Sequence, residues 1–202
     1  MSTGFDDKFM HKYWHYIDKP FSRDSSAVRS PPAINAQERI ALFRKTIASD
    51  APDQLKAFAL VWLLHLVGDV HQPLHATSRF TGAKGDSGGN DVTLSCAGCP
   101  NDLHHFWDDV LGTDDRVSVS LSAARLLPPA DPTEVAIKDE AMWIDESFRI
   151  AQESVYVDPP IGNGTGPFAL PNDYKNNAKR IALARAALAA ARLANMLNNE
   201  LK

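Results

Sequence analysis

Apolar residues recur at helical spacing along most of the chain, and the gaps between the periodic runs carry helix-start and helix-stop residues. Asn35 and Glu38 stand at capping-box spacing ahead of Ile40, Leu42, Phe43 and Ile47, which predicts a helix beginning at Asn35. The run Ser49-Asp50-Ala51-Pro52 ends that helix and caps a second, from Asp53 to about Val70. The second is apolar on most faces (Phe58, Leu60, Val61, Leu63, Leu64, Leu66, Val67), so it is expected to be central and buried, and Pro73 stops it. Short helices are predicted at about 101–111 and 118–127. Asp131-Pro132 predicts the start of a long helix to about Tyr156, with proline at the first helical position. A final helix, rich in Ala, Leu and Arg, covers about 172–201. Phe21 to Pro32, Ala76 to Pro100 and Val157 to Pro171 read as loop, with a short strand at 91–95 and room for a short β-hairpin near 90–100. The pattern describes an all-α fold: one helical-bundle domain over 1–202, with large loops on one side and neither repeat nor linker.

Composition narrows the function classes. A chain of 202 residues with 44% hydrophobic and 23% charged positions suffices for one domain with a sizeable core. The net charge of -4 excludes a broad cationic platform for duplex nucleic acid, although bound cations can supply a local positive field. The longest apolar stretch, Ala57 to Val67, contains His65 and is too short to span a membrane. Met1 to Met10 includes Asp6 and Asp7 and has no apolar core, so it does not read as a signal peptide. Cys96 and Cys99 are the only cysteines, which rules out a four-cysteine zinc site within the chain. Their Gly- and Pro-flanked loop argues against a thioredoxin-like pair and favours a local disulfide.

The seven histidines all lie within the first 105 residues. His65 and Asp69 are four apart on the apolar helix, so they project from one face, and an imidazole and a carboxylate there are costly unless paired or metal-bound. His104 and Asp108 repeat the spacing on the next short helix, and His75 follows Pro73. Imidazole nitrogens with carboxylate oxygens form the ligand set that Zn²⁺ takes at catalytic sites. One such pair alone reads more simply as a side-chain hydrogen bond; two pairs with His75 and an upstream His15 point to a metal centre. His71 and His105 sit beside these residues but off their helical faces, and are read as neighbours of the ligands or as solvent-facing. His11 is read as a surface residue. Arg180, Arg185 and Arg192 are read as a solvated helical face, and Trp62, Trp107 and Trp143 as core.

Four segments carry a resemblance: Trp14-His15-Tyr16-Ile17-Asp18, then His65-Leu66-Val67-Gly68-Asp69-Val70-His71-Gln72-Pro73-Leu74-His75, then Gly88-Gly89-Asn90, then Leu103-His104-His105-Phe106-Trp107-Asp108. In this order they resemble the nuclease S1/P1 family of zinc-dependent single-strand nucleases and 3′-nucleotidases, which have the phospholipase C-like helical fold. Trp143, Glu146 and Ser147 resemble the family's later W-x-x-E-S element, and residues 191–198 its closing helix. The resemblance implies three zinc ions. His75, His104 and Asp108 would hold one as a complete set, and His15, His65 and Asp69 would form part of a second. The remaining family ligands, an N-terminal Trp, a nearby His and an Asp in a W-A-D motif, have no counterpart here. The resemblance therefore implies a chain lacking the family's N-terminal helical region, with one complete and one partial zinc site.

The implied activity is phosphodiester hydrolysis of single-stranded DNA or RNA, releasing 5′-phosphorylated products. Asp69 would bridge a metal pair and orient the nucleophile as the catalytic carboxylate. Tyr16 would stack on a base, Asp18 would read its edge and Asn90 would hold the site loop. The resemblance further implies a secreted or periplasmic monomer. A phospholipase C-like phosphodiesterase and a metal-binding domain without turnover are the competing functions.

Overall fold

The computed structural model describes residues 11–201; the Met1–Met10 segment, read above as no signal peptide, lies outside the described residues. The architecture is mostly α, with one three-stranded sheet. Helix α1 (Ala36–Ile47) begins where its capping residue dictates: the Asn35 side chain accepts a hydrogen bond from the Glu38 amide at 3.2 Å. Its buried stripe, Ala36, Ile40, Phe43 and Ile47, packs against α2 (Asp53–Asp69).

Helix α2 departs from the expected fully buried rod. Ala59, Leu63, Leu66 and Val67 are buried, whereas Val61 is 64% and Leu64 53% exposed. An apolar face borders solvent there, and a sequence pattern that is apolar all round cannot show it. The capping expected from the run at 49–52 is also absent: Pro52 precedes α2 and offers it no side-chain hydrogen bond.

The sheet positions the site. Strand β1 (Lys19–Ser22), whose second half falls in the stretch from Phe21 read as loop, pairs in parallel with β2 (Thr77–Thr81), with Lys19 opposite Thr77. A parallel pair needs a crossover, and α1 and α2 supply it. In-register pairing lays the residues before β1 alongside those before β2, so the Ile17 amide donates to the His75 carbonyl at 2.8 Å. Strand β3 (Lys84–Gly85) closes a hairpin with β2. The stretch at 91–95 makes only isolated bridges, Thr93 with Asp102 and Leu94 with Phe168.

Helices α3 (Leu103–Asp109) and α4 (Val117–Ala124) match the expected short helices. The single long helix expected from Asp131 is broken in two: α5 (Pro132–Val135), capped by Asp131, and α6 (Glu140–Ile150), which Asp139 caps and which continues as a π-helical turn over Ala151–Val155 to the expected end. The break has identifiable causes. The Asp139 carboxylate accepts from the Ala141 amide, and the Ile137 and Lys138 carbonyls accept from the Trp143 indole and from Arg44. Helix α7 (Asn172–Glu200) runs along α2 and α5. Its Arg185 and Arg192, expected to face solvent, are buried, 6% and 1% exposed.

Two apolar clusters result. One joins α1, α2, α6 and α7 around Ile40, Leu66, Trp143 and Met196; the other joins α3, residues 151–161 and the start of α7 around Leu103, Trp107, Tyr156 and Tyr174. The segment 69–75 runs between them, with Val70 in the first and Leu74 in the second. Cys96 and Cys99 form a disulfide. Among the described residues no helix is long and apolar enough to cross a membrane.

Candidate metal centre

The C-terminal turn of α2 supplies His65 and Asp69 on one face, as the four-residue spacing requires. The turn ahead of β1 brings His15 to them. His15 Nδ1 lies 2.9 Å from His65 Nε2 and 3.2 Å from Asp69 Oδ2, and His65 Nε2 lies 3.1 Å from the same oxygen. A second triad forms where the 3₁₀ turn Pro73–Ala76 meets α3. His75 Nε2 stands 3.5 Å from Asp108 Oδ1, and His104 Nε2 stands 3.5 Å from Asp108 Oδ2. In each triad the ligand atoms lie within 4.8 Å of one another. Tetrahedral zinc, with bonds of about 2.0–2.1 Å, sets its ligand atoms roughly 3.3 Å apart, so donor type and spacing both fit a divalent ion of this class.

Backbone carbonyls orient the imidazoles of the second triad. His75 Nδ1 donates to the His15 carbonyl and His104 Nδ1 to the Gly88 carbonyl, both at 2.8 Å. A carbonyl only accepts, so each ring carries a proton on Nδ1 and turns its Nε2 toward Asp108. Gly88 is required for this. Its φ is +61°, and a Cβ would meet the Leu74 carbonyl oxygen at 2.5 Å. The turn itself is anchored by buried Asp86, whose Oδ1 accepts from the Arg79 and Gly89 amides.

The charge states of Asp69, Asp108 and His104 suit cation binding, whereas the carboxylates beside His65 and His75 raise those two imidazoles. Burial pushes the Asp69 carboxyl up, but hydrogen bonds from His15 and His65 and the nearby His75 outweigh it and hold the group at about 2. Asp108 follows the same balance, with burial opposed by His75 and Gln72, and is lowered. Burial, with His75 adjacent, lowers His104 and favours the neutral ring that a metal ligand requires. His75 is raised: its burial is outweighed by Asp108 and Asp69.

The other expected site residues are dispersed. Asp18 lines an open cleft of about 240 Å³ with Arg29, Ser78, Phe80 and Ser87. Burial and the charge of Asp86 push its carboxyl up to about 6, against the opposing effect of His75. Tyr16 does not line that cleft; its ring packs edge-on to Tyr13 at 6.3 Å. Asn90 is exposed and donates to the Ser87 carbonyl at 2.6 Å, closing its own turn. A second cleft, of about 440 Å³, lies between α2 and α7 and opens at Asp69, Gln72, His75 and Asp108.

Sequence reasoning missed Gln72, whose Nε2 donates to Asp108 Oδ1 at 2.9 Å while its Oε1 caps the 3₁₀ turn. Its place between Asp69 and His75 was the available signal. His71 is fully buried rather than solvent-facing, bonded to the Val67 carbonyl and to Arg192. His105 is exposed and pairs with Asp102. His11, read as surface, is half-buried with its ring against Trp14.

A family model described as S1/P1 Nuclease matches residues 4–202. Among curated proteins, nuclease S1 of Aspergillus oryzae is 32% identical over 80 residues, 39% of this chain and 26% of that protein. Endonuclease 4 and endonuclease 5 of Arabidopsis thaliana are 43% and 45% identical over 53 residues, 26% of this chain and 16% of each relative. The matched stretches thus span a quarter or less of these relatives' length, or nearly so for nuclease S1.

Proposed function

The chain belongs to the S1/P1 nuclease family, and from that premise we propose that it is a zinc-dependent hydrolase of phosphodiester bonds in single-stranded DNA and RNA, acting as a secreted monomer. The observation that carries the reading is the pair of His/Asp triads joined at Asp69 and His75, beside an open cleft of about 440 Å³. The relatives' names speak for nuclease chemistry in those proteins. The disulfide suits an oxidising compartment.

His75, His104 and Asp108 would hold one zinc, and His15, His65 and Asp69 another. Bound there, the ions supply Lewis-acid chemistry, acidifying water and neutralising charge on a phosphate. The chain's own residues do the rest. Asp69, held ionised, orients the attacking water as the catalytic carboxylate. Water oxygen bonds to phosphorus as the bond from phosphorus to the 3′ oxygen breaks. The 3′ oxygen takes a proton, leaving a 3′-hydroxyl and a 5′-phosphorylated product. The same attack on a terminal 3′-phosphate gives 3′-nucleotidase activity. Asp18 reads the edge of an unstacked base in its cleft, Tyr16 offers its ring for a base to stack on, and Asn90 fixes the turn that carries Ser87 and Gly88.

The test compares hydrolysis of single-stranded DNA, RNA, duplex DNA and phosphatidylcholine by the zinc-loaded chain. Cleavage of the single strands to 5′-phosphorylated ends is expected, with duplex and lipid left intact and the activity lost in His75→Ala. Preferential lipid cleavage overturns the nuclease reading, and zinc binding without turnover on any substrate overturns the catalytic one.

A further inference from the structure

The Val70 and His71 carbonyls, just past the end of α2, take their hydrogen bonds from a buried ionic cluster, while the Leu66, Gly68 and Asp69 carbonyls accept the Val70, His71 and Gln72 amides. Ser147 Oγ on α6 donates to the Val70 carbonyl at 2.6 Å. Arg185 Nε on α7 donates to the His71 carbonyl at 3.2 Å, and its Nη2 donates to Ser147 Oγ at 2.8 Å. His71 Nδ1 donates back to the Val67 carbonyl at 2.7 Å, which leaves its Nε2 to accept from Arg192 Nη1 at 3.0 Å. Glu146 ties the two guanidiniums together. Its Oε2 takes Arg185 Nη1 at 2.8 Å and Arg192 Nη1 at 2.7 Å, and its Oε1 takes Arg192 Nη2 at 2.7 Å.

Arg185 and Arg192 are seven residues apart, two turns of α7, so both face the same way. Two buried cations against one carboxylate form a poor device for stability alone, since desolvating charges is expensive. They are, however, well placed for the C-terminal end of a helix, where the dipole is negative and free carbonyls await donors. That helix end carries Asp69 and leads directly through Gln72 to His75. The cluster therefore grips the one segment that supplies ligands to both triads.

We propose that Glu146, Arg185, Arg192 and Ser147 are positioning residues of the metal centre: by tying off the end of α2 they fix Asp69 against His75, and so set metal affinity as well as fold stability. The inference rests on reading the triads as metal sites.

The test measures zinc affinity of the folded metal-free chain by chelator competition, with thermal midpoints measured alongside. Ser147→Ala removes one hydroxyl, and Arg185→Lys keeps the charge but loses the forked donors. Ile40→Val, in the core away from the triads, serves as a matched destabilised control. Affinity is expected to fall roughly tenfold or more in Ser147→Ala and Arg185→Lys, the scale of residues that support metal ligands, while Ile40→Val stays within about twofold of the parent for a similar drop in midpoint. Ser147→Ala keeps the test readable if Arg185→Lys does not fold. Parent affinity in the cluster variants, with loss in His75→Ala, overturns the positioning role alone. No zinc binding by the parent overturns both readings.

Discussion

Asp69 Oδ2 lies 4.0 Å from His75 Nδ1, so the carboxylate that completes one triad faces the imidazole that begins the other. The five residues between them make one tight turn off the end of α2, and the two triads are thereby two ends of a single rigid segment.

Gly88→Ala should disturb the second triad through backbone geometry. The new Cβ needs the space of the Leu74 carbonyl oxygen and a left-handed backbone, and the displaced turn takes its carbonyl from His104. A loss of at least about 2 kcal/mol in urea unfolding is expected, with weaker metal binding. Gly82→Ala has the same φ of +61° with nothing within 4 Å, and should lose only about 1 kcal/mol. Equal effects from the two variants would contradict the steric account.

Gln72→Leu keeps the apolar volume but removes the donor that orients Asp108 and the acceptor that caps the 3₁₀ turn. Zinc affinity at that triad should weaken by roughly 10- to 100-fold. Isothermal titration reads it directly, and unchanged affinity would show that Asp108 needs no such support.

Asp18 predicts a pH signature in the metal-free chain. Its carboxyl titrates at about 6 in the folded state and at 3.8 as an ordinary side chain. Between those values the folded state still holds a proton that the unfolded chain has released, so stability falls as pH rises through that window and stays reduced above it. Asp18→Asn should therefore be more stable than the parent at pH 7.5 by about 1–2 kcal/mol, allowing for partial exposure, and equal to it near pH 3. It should also bind single strands more weakly. A stability difference that is the same at both pH values would refute the assignment.

Local signals carried much of this structure. The start of α1 was readable because Asn35 and Glu38 act within three residues of each other, and the pairs His65/Asp69 and His104/Asp108 because four-residue spacing sets both side chains on one helical face; their grouping with His15 and His75 came from the family resemblance. What escaped depended on distant partners. Arg185 and Arg192 read as a solvated stripe, since Glu146 lies 39 and 46 residues away in sequence. Strand β1 has four residues and no alternation of its own; β2, 58 positions on, makes it a strand. The exposed face of α2 was misread because hydrophobicity marks surface that favours burial without recording whether a partner covers it.

Metal stoichiometry of the purified chain tests the account most directly. Equilibrium dialysis against Zn²⁺ with elemental analysis should find two bound ions, one lost in His104→Ala and the other in His65→Ala, with both variants folded. A parent that retains no zinc, or the same zinc content in all three proteins, would contradict it.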